Sequence, residues 1–372
     1  MTGKLLRALA AVVVLAAAGL IGWRVLGPAE VLRPASGALP VAAVSPAGVT
    51  GKTAQAPLIV AGQVRVYGSK RMVRADAPVA AKTIYTPSWS FRRWPEQLSG
   101  MVAAGTTVVT RWSDGELVAL DARTGKISWR APGPAVGGFT GKRVGAATAW
   151  APLGLHPAGT NVLVSGGGKL TAHAVADGSV TWTTSGCEGG FVTAGGRYAC
   201  GAGAWDVATG AAVAGWPAGP SAPLGCDVAR SGCAGLRDAS GQGWLVGGPS
   251  AVRAPALDSP TATVAGELVL TSGAGAVTAT SGGRELWQWA GEAQVLGARG
   301  GSVVLLGADD RLILLNAVTG AEENAFPLYV SDERVAEWKP GLWQVTDGFV
   351  AIERLDPDDS YYTTDTVIIA AL

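Results

Sequence analysis

The chain has 372 residues and a formal net charge of +1; 15% of the residues are charged and 48% are hydrophobic. This balance provides no basic field to attract nucleic acid, so the composition argues against a nucleic-acid-binding protein. The 54 glycines, 21 prolines and 14 tryptophans favour an all-β protein built from short strands and many turns.

The N-terminus carries an apolar segment behind two basic residues. Lys4 and Arg7 precede the run from Ala8 to Trp23, and Arg24 follows it. A basic flank keeps the N-terminus inside and directs the rest of the chain outward. We predict that residues 1–26 are a signal anchor, a single transmembrane helix at the cell membrane, with the C-terminal domain extracytoplasmic. A cleaved signal peptide is the alternative.

Residues 27–57 are rich in proline, alanine, serine and glycine and lack the periodicity of a helix or a strand. We predict a linker there. From Leu58 the sequence LIVAGQVRVYG alternates as a strand does. The folded domain is therefore predicted to cover residues 58–372.

Aromatic residues and arginines lie together in YTPSWSFRRW, residues 85–94. These residue types dominate the hot spots of protein interfaces. We consider Trp89, Arg92 and Arg93 candidates for an interaction surface. The alternative is that the tryptophans pack inside the domain and the arginines are merely solvated.

A motif recurs from Leu117 onward. LVALDARTGKISW, residues 117–129, contains an alternating strand, an Asp-x-x-Thr-Gly turn and a tryptophan. Five degenerate copies come after it, with their turn glycines at Gly178, Gly210, Gly241, Gly283 and Gly320. A period near 40 residues of short strands and turns is typical of a β-propeller with one four-stranded blade per repeat. Residues 58–372 suffice for seven or eight blades; unrelated hairpins of a β-sandwich are the alternative.

The motif assigns roles to its residues. The glycine accepts a positive φ in the turn, and we expect Trp129, Trp182 and Trp287 to wedge between neighbouring blades. Propellers remove free sheet edges by closing the ring. We predict that the closing blade combines residues 344–372 with the strand at 58–67.

The stretch ALDARTGKISW, residues 119–129, resembles the repeat of the pyrroloquinoline-quinone-like (PQQ-like) propeller family. The resemblance covers roughly residues 100–326. The family includes quinoprotein alcohol dehydrogenases and also non-catalytic members, such as a lipoprotein that assists outer-membrane protein assembly. The dehydrogenases hold their cofactor with an adjacent Cys–Cys pair and an acidic calcium site, and this chain has no adjacent cysteines.

The resemblance therefore implies a non-catalytic, membrane-anchored propeller without a bound cofactor. It would act as a binding or scaffolding module for another cell-envelope protein or ligand, with the membrane as its second partner. A divergent quinoprotein, or another propeller enzyme with an unrecognised active site, is the alternative.

Four cysteines, Cys187, Cys200, Cys226 and Cys233, fit an exported chain that forms disulfide bonds. Four cysteines allow three pairings. Short separation favours Cys187–Cys200 and Cys226–Cys233, each within one blade. Four free thiols are the alternative.

The remaining sequence holds no recognised catalytic motif, and we predict no catalytic, cofactor-binding or metal-binding residues. Near the C-terminus, DPDDSYYTTD, residues 356–365, is a polar loop between two strands. Its side chains complete the candidate interaction surface: Asp358, Asp359, Tyr361 and Tyr362. The alternatives are a Ca²⁺-binding loop and an ordinary exposed hairpin.

Overall fold

The structure is a computed structural model that describes residues 2–26, 29–37, 45–78, 87–139, 144–273, 275–329, 337–356 and 366–372. Within these residues, helix α1 (Thr2–Leu26) precedes eight antiparallel sheets of three to five strands. The sheets are the blades of a β-propeller, so the predicted fold is confirmed with eight blades. None of the helices in these ranges has the length and apolarity needed to cross a bilayer.

The first strand of each blade lines the central channel and the later strands lie progressively outward. Blade 1 holds β3 (Pro57–Val60), β4 (Val64–Ser69), β5 (Met72–Pro78), β6 (Trp89–Trp94) and, outermost, β1 (Ala29–Arg33). Blade 2 holds β7 (Leu98–Ala104), β8 (Thr107–Trp112), β9 (Leu117–Asp121) and β10 (Ile127–Ala131). Helix α2 (Ala146–Trp150) connects it to blade 3, which holds β11 (Leu155–Ala158), β12 (Asn161–Gly166), β13 (Lys169–Ala174) and β14 (Val180–Ser185).

Blade 4 has three strands, β15 (Gly190–Val192), β16 (Arg197–Cys200) and β17 (Gly203–Asp206). Blade 5 holds β18 (Ser221–Leu224), β19 (Gly235–Asp238), β20 (Gly243–Leu245) and β21 (Val252–Arg253), with 3₁₀ turns at Val228–Arg230 and Pro255–Asp258. Blade 6 holds β22 (Ala262–Ala265), β23 (Leu268–Gly273), β24 (Ala276–Ser281) and β25 (Arg284–Ala290). Blade 7 holds β26 (Ala293–Arg299), β27 (Ser302–Gly307), β28 (Arg311–Asn316) and β29 (Glu322–Pro327).

The inner strands are buried on both faces because each blade is sandwiched between two others. In β9, Val118 and Leu120 belong to the apolar layer shared with blade 1. Leu117 and Ala119 point the opposite way, into the layer shared with blade 3. One strand thus supplies alternate residues to two successive layers, which is why LVAL is apolar at every position.

The recurring tryptophan and glycine pack against each other across blade boundaries. The Trp129 indole of blade 2 donates from Nε1 to the Val175 carbonyl of blade 3 at 2.7 Å. Its ring covers Gly178, where a Cβ would lie 2.5 Å from ring carbon Cε3 and where φ is +76°. The same arrangement joins three other pairs, Trp89 with Gly125, Trp182 with Gly210, and Trp287 with Gly320. The predicted wedging is confirmed; Trp129 and Trp287 are buried, and Trp182 is half-buried.

Ring closure uses a different strand from the predicted one. Blade 8 holds β30 (Lys339–Val345), β31 (Phe349–Leu355) and β32 (Thr366–Ala371), and its outermost strand is β2 (Gly48–Thr53). The prediction that residues 58–67 close this blade is wrong, because that segment forms β3 and β4 of blade 1. Thr50 Oγ1 donates to the Ile369 carbonyl at 3.1 Å, in keeping with the pairing of β2 and β32.

The predicted linker at 27–57 is corrected by the same finding. Strands β1 and β2 lie inside it and pair with β6 and β32, so the folded propeller begins at Ala29 and not at Leu58. The sequences AEVLR and GVTGKT show no clear alternation of buried and exposed residues. They are strands because a partner edge is available to each, which periodicity along the chain does not reveal.

Candidate functional site in the central channel

Two segments of the chain enter the central channel. Helix α2 precedes β11, and the loop Cys226–Cys233 follows β18. Because all innermost strands run in the same direction, these segments enter at opposite ends. At one end, Trp150 of α2 donates from Nε1 to the Pro57 carbonyl at 2.8 Å.

The loop Cys226–Cys233, here called the channel loop, is closed by a disulfide bond between its two ends. Ala229 is completely buried and has a φ of +61°, and Arg230 follows with a φ of +53°. Two consecutive left-handed residues other than glycine cost free energy, which the surrounding contacts must offset. The channel loop is therefore held in one specific conformation by its contacts.

Two contacts join the channel loop to distant blades. The Ala229 carbonyl accepts a hydrogen bond from Nδ1 of His156 in blade 3 at 2.9 Å, and Asp227 pairs with Arg299 of blade 7. Burial lowers the pKa of His156, the hydrogen bond to the Ala229 carbonyl raises it and the charge of Arg230 lowers it; together they leave the pKa at about 4. His156 is thus neutral near pH 7 and carries its proton on Nδ1.

Cavities lie on both sides of the channel loop. One of about 750 Å³ is lined by Trp150, by the channel loop and by the innermost strands of blades 6, 7 and 8. The other, of about 470 Å³, lies against β3 and the turn between β30 and β31. Asp227, Val228 and Arg299 line both, so the channel loop is the wall between them.

The chemistry of these walls is limited. The larger cavity is lined mainly by glycine, alanine and other apolar residues, with Asp227, Arg230 and Arg299 as its charged groups. Across the residues that the structure describes, no group of three or more His, Cys, Asp or Glu could hold a metal ion. The walls can bind a ligand through van der Waals contact and two guanidinium groups, but they offer no paired nucleophile and base.

A quinone of the dehydrogenase kind does not fit this donor set. Both disulfide bonds, Cys187–Cys200 and Cys226–Cys233, join residues that are far from adjacent in sequence. Cys226–Cys233 closes the channel loop, and this loop occupies part of the central channel. The adjacent pair that would cover a planar cofactor is missing from the sequence.

A family model described as outer membrane protein assembly factor BamB matches residues 31–213. This segment of the chain is similar to the PQQ-like propeller family. Comparison with curated proteins finds no match. The matched residues of this PQQ-like propeller run from β1 to the end of blade 4.

Solved structures with similar folds come from several functional classes. BamB from Moraxella catarrhalis is 16% identical with a TM-score of 0.43, covering 93% of this chain and 98% of that one. The C-terminal WD40 domain of Sif2 is 11% identical with a TM-score of 0.48, covering 88% and 99%. The quinohemoprotein alcohol dehydrogenase ADHIIG from Pseudomonas putida is 12% identical with a TM-score of 0.46, covering 87% and 76%.

The candidate interaction residues of this PQQ-like propeller separate in the structure. Trp89 is only 1% exposed and donates to the Ala122 carbonyl at 2.8 Å. Its assignment to an interaction surface is therefore wrong, because its ring covers Gly125 of the next blade. Arg92 is exposed on β6. The other four candidates, Asp358, Asp359, Tyr361 and Tyr362, lie outside the described residues.

Arg93 belongs to an ion-pair network between blades 1 and 2. It lies 2.8 Å from carboxylate oxygens of both Asp114 and Glu116, and 3.7 Å from Glu30. Arg130 joins Glu116 and Glu30 in turn. Burial raises the pKa of Asp114, but hydrogen bonds from Arg93 and from the Glu116 N–H outweigh it, and the pKa lies below its usual value. The network fastens β1 and β6 to their neighbour.

Sequence reasoning missed the channel elements. Helix α2 is five residues long, too short to give a periodic signal. The short interval between Cys226 and Cys233 was the one sign of a constrained loop. Nothing in the sequence indicated that the loop turns inward to meet His156.

Proposed function

We propose that this protein is a binding or scaffolding module of the cell envelope, tethered by its N-terminal helix, with the propeller on the extracytoplasmic side. The observation that carries the proposal is the family match. Residues 31–213, which include blades 2 to 4 and most of blade 1, are similar to a family described as an assembly factor. An assembly factor acts by holding other proteins, a task that suits a rigid ring with a large outer surface.

The cysteines support the extracytoplasmic placement. All four pair in two disulfide bonds, and none is free. Such bonds form and persist in oxidising compartments and are rare in the cytosol.

The N-terminal segment supports the tether. Lys4 and Arg7 precede an apolar run, and basic residues before such a run retain the N-terminus in the cytoplasm. Within α1, Leu9 is 67% exposed and Leu15 is 71% exposed. Apolar side chains displayed along a helix are stabilised when lipid replaces water around them.

The test is partner capture in the native membrane. The full chain with an affinity tag is cross-linked in intact cells, and enriched proteins are quantified against a control in which residues 1–28 carry an unrelated folded domain. We expect an envelope protein that is enriched only with the propeller and that binds the purified full chain in a calorimetric titration. Enrichment equal to the control would count against a scaffold.

A separate experiment tests the enzymatic alternative. The full chain is titrated with pyrroloquinoline quinone, with and without Ca²⁺. Saturable binding accompanied by alcohol-dependent reduction of the quinone would replace the scaffold proposal. We expect neither, because the channel walls lack the adjacent cysteine pair and the acidic calcium site of the dehydrogenases.

A further inference from the structure

We infer that the outer part of blade 1 is a membrane-contacting surface that lies on anionic lipid headgroups beside the C-terminal end of α1. The inference rests on the proposed function, because it requires α1 to be inserted in the membrane. It adds what the tether alone does not specify, namely which face of the propeller is turned toward the lipid.

The length of chain between α1 and β1 sets the distance. Helix α1 ends at Leu26 and strand β1 begins at Ala29. A fully extended chain spans at most about 3.6 Å per residue, so Ala29 lies within about 11 Å of the last helical residue. The headgroup layer is about 5–7 Å thick on each side of the hydrocarbon core. The start of β1 is thus in that layer or directly above it.

Strand β1 is part of the propeller and does not act as a loose connector. It pairs with β6 along its whole length, from Ala29 opposite Trp94 to Arg33 opposite Ser90. Glu30 adds ion pairs to Arg93 and Arg130. The edge of blade 1 is therefore held near the membrane together with the helix.

One face of this edge is basic. Residues directly opposite each other in an antiparallel pair share a face, so Arg92 lies beside Val31, and Arg33 follows two residues further on the same side. Arg33 and Arg92 are exposed, and Val31 is 46% exposed. We call Val31, Arg33, Arg92 and Trp94 the lipid face.

The turn beside the lipid face extends its charge. Arg71 lies over the Trp94 ring, with its guanidinium carbon 3.9 Å from the ring centroid, and Lys70 is exposed next to it. The carboxylates of the adjacent strands are directed elsewhere. Glu30 is on the opposite face with Arg93, and Asp76 is buried in β5, where it pairs with Arg65.

An anionic lipid surface is the occupant that fits these observations. Basic side chains are attracted to anionic lipid headgroups in a leaflet that contains them, and tryptophan and arginine are favoured at the interface between water and hydrocarbon. Blade 1 has five strands where blades 2 and 8 have four. Its outermost strands are thus the part of the ring with the least cover from neighbouring blades.

Photo-cross-linking of the full chain tests the inference. The reactive residue p-benzoylphenylalanine replaces Val31 on the lipid face or, as a matched control, Leu286 on β25 of blade 6, which is 50% exposed. Each protein is reconstituted into nanodiscs of phosphatidylcholine with about 30% phosphatidylglycerol or of phosphatidylcholine alone. We expect lipid adducts at position 31 and not at 286, with a higher yield in the anionic discs. Arg33→Gln and Arg92→Gln should each lower the yield about fivefold.

The outcomes separate the inference from the tether. A chain that stays in the discs but gives no lipid adduct at position 31, or gives equal adducts at 286, overturns the lipid face and leaves the tether intact. If the adduct yield at position 31 does not depend on the phosphatidylglycerol content, the inferred contact with anionic lipid is wrong. A chain that fails to enter the discs and leaves its native membrane in a carbonate wash overturns the tether, and the lipid face with it.

Discussion

Replacing Trp129 with alanine tests how the blades are held together. The indole is 7% exposed, donates to the Val175 carbonyl at 2.7 Å and covers Gly178. Truncating a buried tryptophan to alanine costs about 3–5 kcal/mol of unfolding free energy. The carbonyl that loses its donor accounts for about 1 kcal/mol of that cost.

A second substitution shows whether the contact with Gly178 is the cause. Gly178→Ala places a Cβ 2.5 Å from the Trp129 ring at a φ of +76°. The backbone costs about 1–2 kcal/mol, and the overpacked ring adds about 1–3 kcal/mol. In a Trp129→Ala background the ring is gone, so only the backbone cost should remain. The double variant should therefore be more stable than the sum of the single effects by about 1–3 kcal/mol.

The assay is urea unfolding followed by circular dichroism. Val318→Ala is the control, because Val318 is 78% exposed and its truncation should change stability by less than about 0.5 kcal/mol. A Trp129→Ala effect as small as the control would refute the docking. If the effects of Trp129→Ala and Gly178→Ala on the unfolding free energy are strictly additive, the close contact between these two residues does not affect stability.

Three further changes probe closure, covalent bonds and protonation. Deleting Gly48–Thr53 removes β2 and exposes the apolar edge strand β32, so light scattering should detect self-association. Deleting Ala29–Arg33 exposes β6 instead, whose two arginines oppose edge-to-edge pairing, and should cause less. Replacing Cys226 and Cys233 with serine should lower the unfolding free energy by about 2–3 kcal/mol, and an unchanged urea midpoint would contradict this. His156 has a folded pKa of about 4 against 6.5 for the free side chain, so the unfolded chain takes up the proton first and up to about 3 kcal/mol of stability is lost as pH falls from 6.5 to 4. His156→Asn can retain an N–H donor for Ala229 while removing the titration, so an unaltered pH slope in this variant would refute the assignment.

The repeats could be predicted from the sequence because successive blades need the same residue types at the same positions. The turn requires a glycine at positive φ and the following strand carries a large apolar ring, so both recur at readable intervals. The sequence does not show which of the two neighbouring blades a given residue packs against. Trp129 and Gly125 lie four residues apart, yet each packs against a different blade. Trp89 looked like a surface residue because its glycine partner belongs to the next repeat.

The channel and the closing strands escaped prediction for a related reason. Strand β2 and the channel loop acquire their roles from residues more than seventy positions away, as in Thr50 with Ile369 and His156 with Ala229. Local propensity contains no information about such partners. The composition of residues 27–57 indicated a linker, because glycine and threonine in GVTGKT are as typical of a linker as of an edge strand.

One of the two disulfide bonds, Cys226–Cys233, lies where the tryptophan–glycine docking is missing. Blade 4 has no fourth strand to carry a docking tryptophan, and nothing lies within 4 Å of a Cβ placed on Gly241 or Gly283, the turn glycines of blades 5 and 6. Cys226–Cys233 closes a loop in blade 5, whereas Cys187–Cys200 belongs to the apolar layer between blades 3 and 4, beside the docked Trp182.

The Cys226–Cys233 bond also joins blades 4 and 5 through the backbone. The Cys233 N–H donates to the Val192 carbonyl of blade 4, and its carbonyl accepts from the Ala194 N–H, both at 2.9 Å. The ring stays closed only while every boundary holds, because an opened boundary exposes the apolar faces of two blades to water. At the boundary between blades 4 and 5 the Cys226–Cys233 bond and a backbone bridge take the place of the indole contact, and Cys233, which makes the bridge, also closes the channel loop. The boundary between blades 4 and 5 and the channel loop therefore depend on the same disulfide bond.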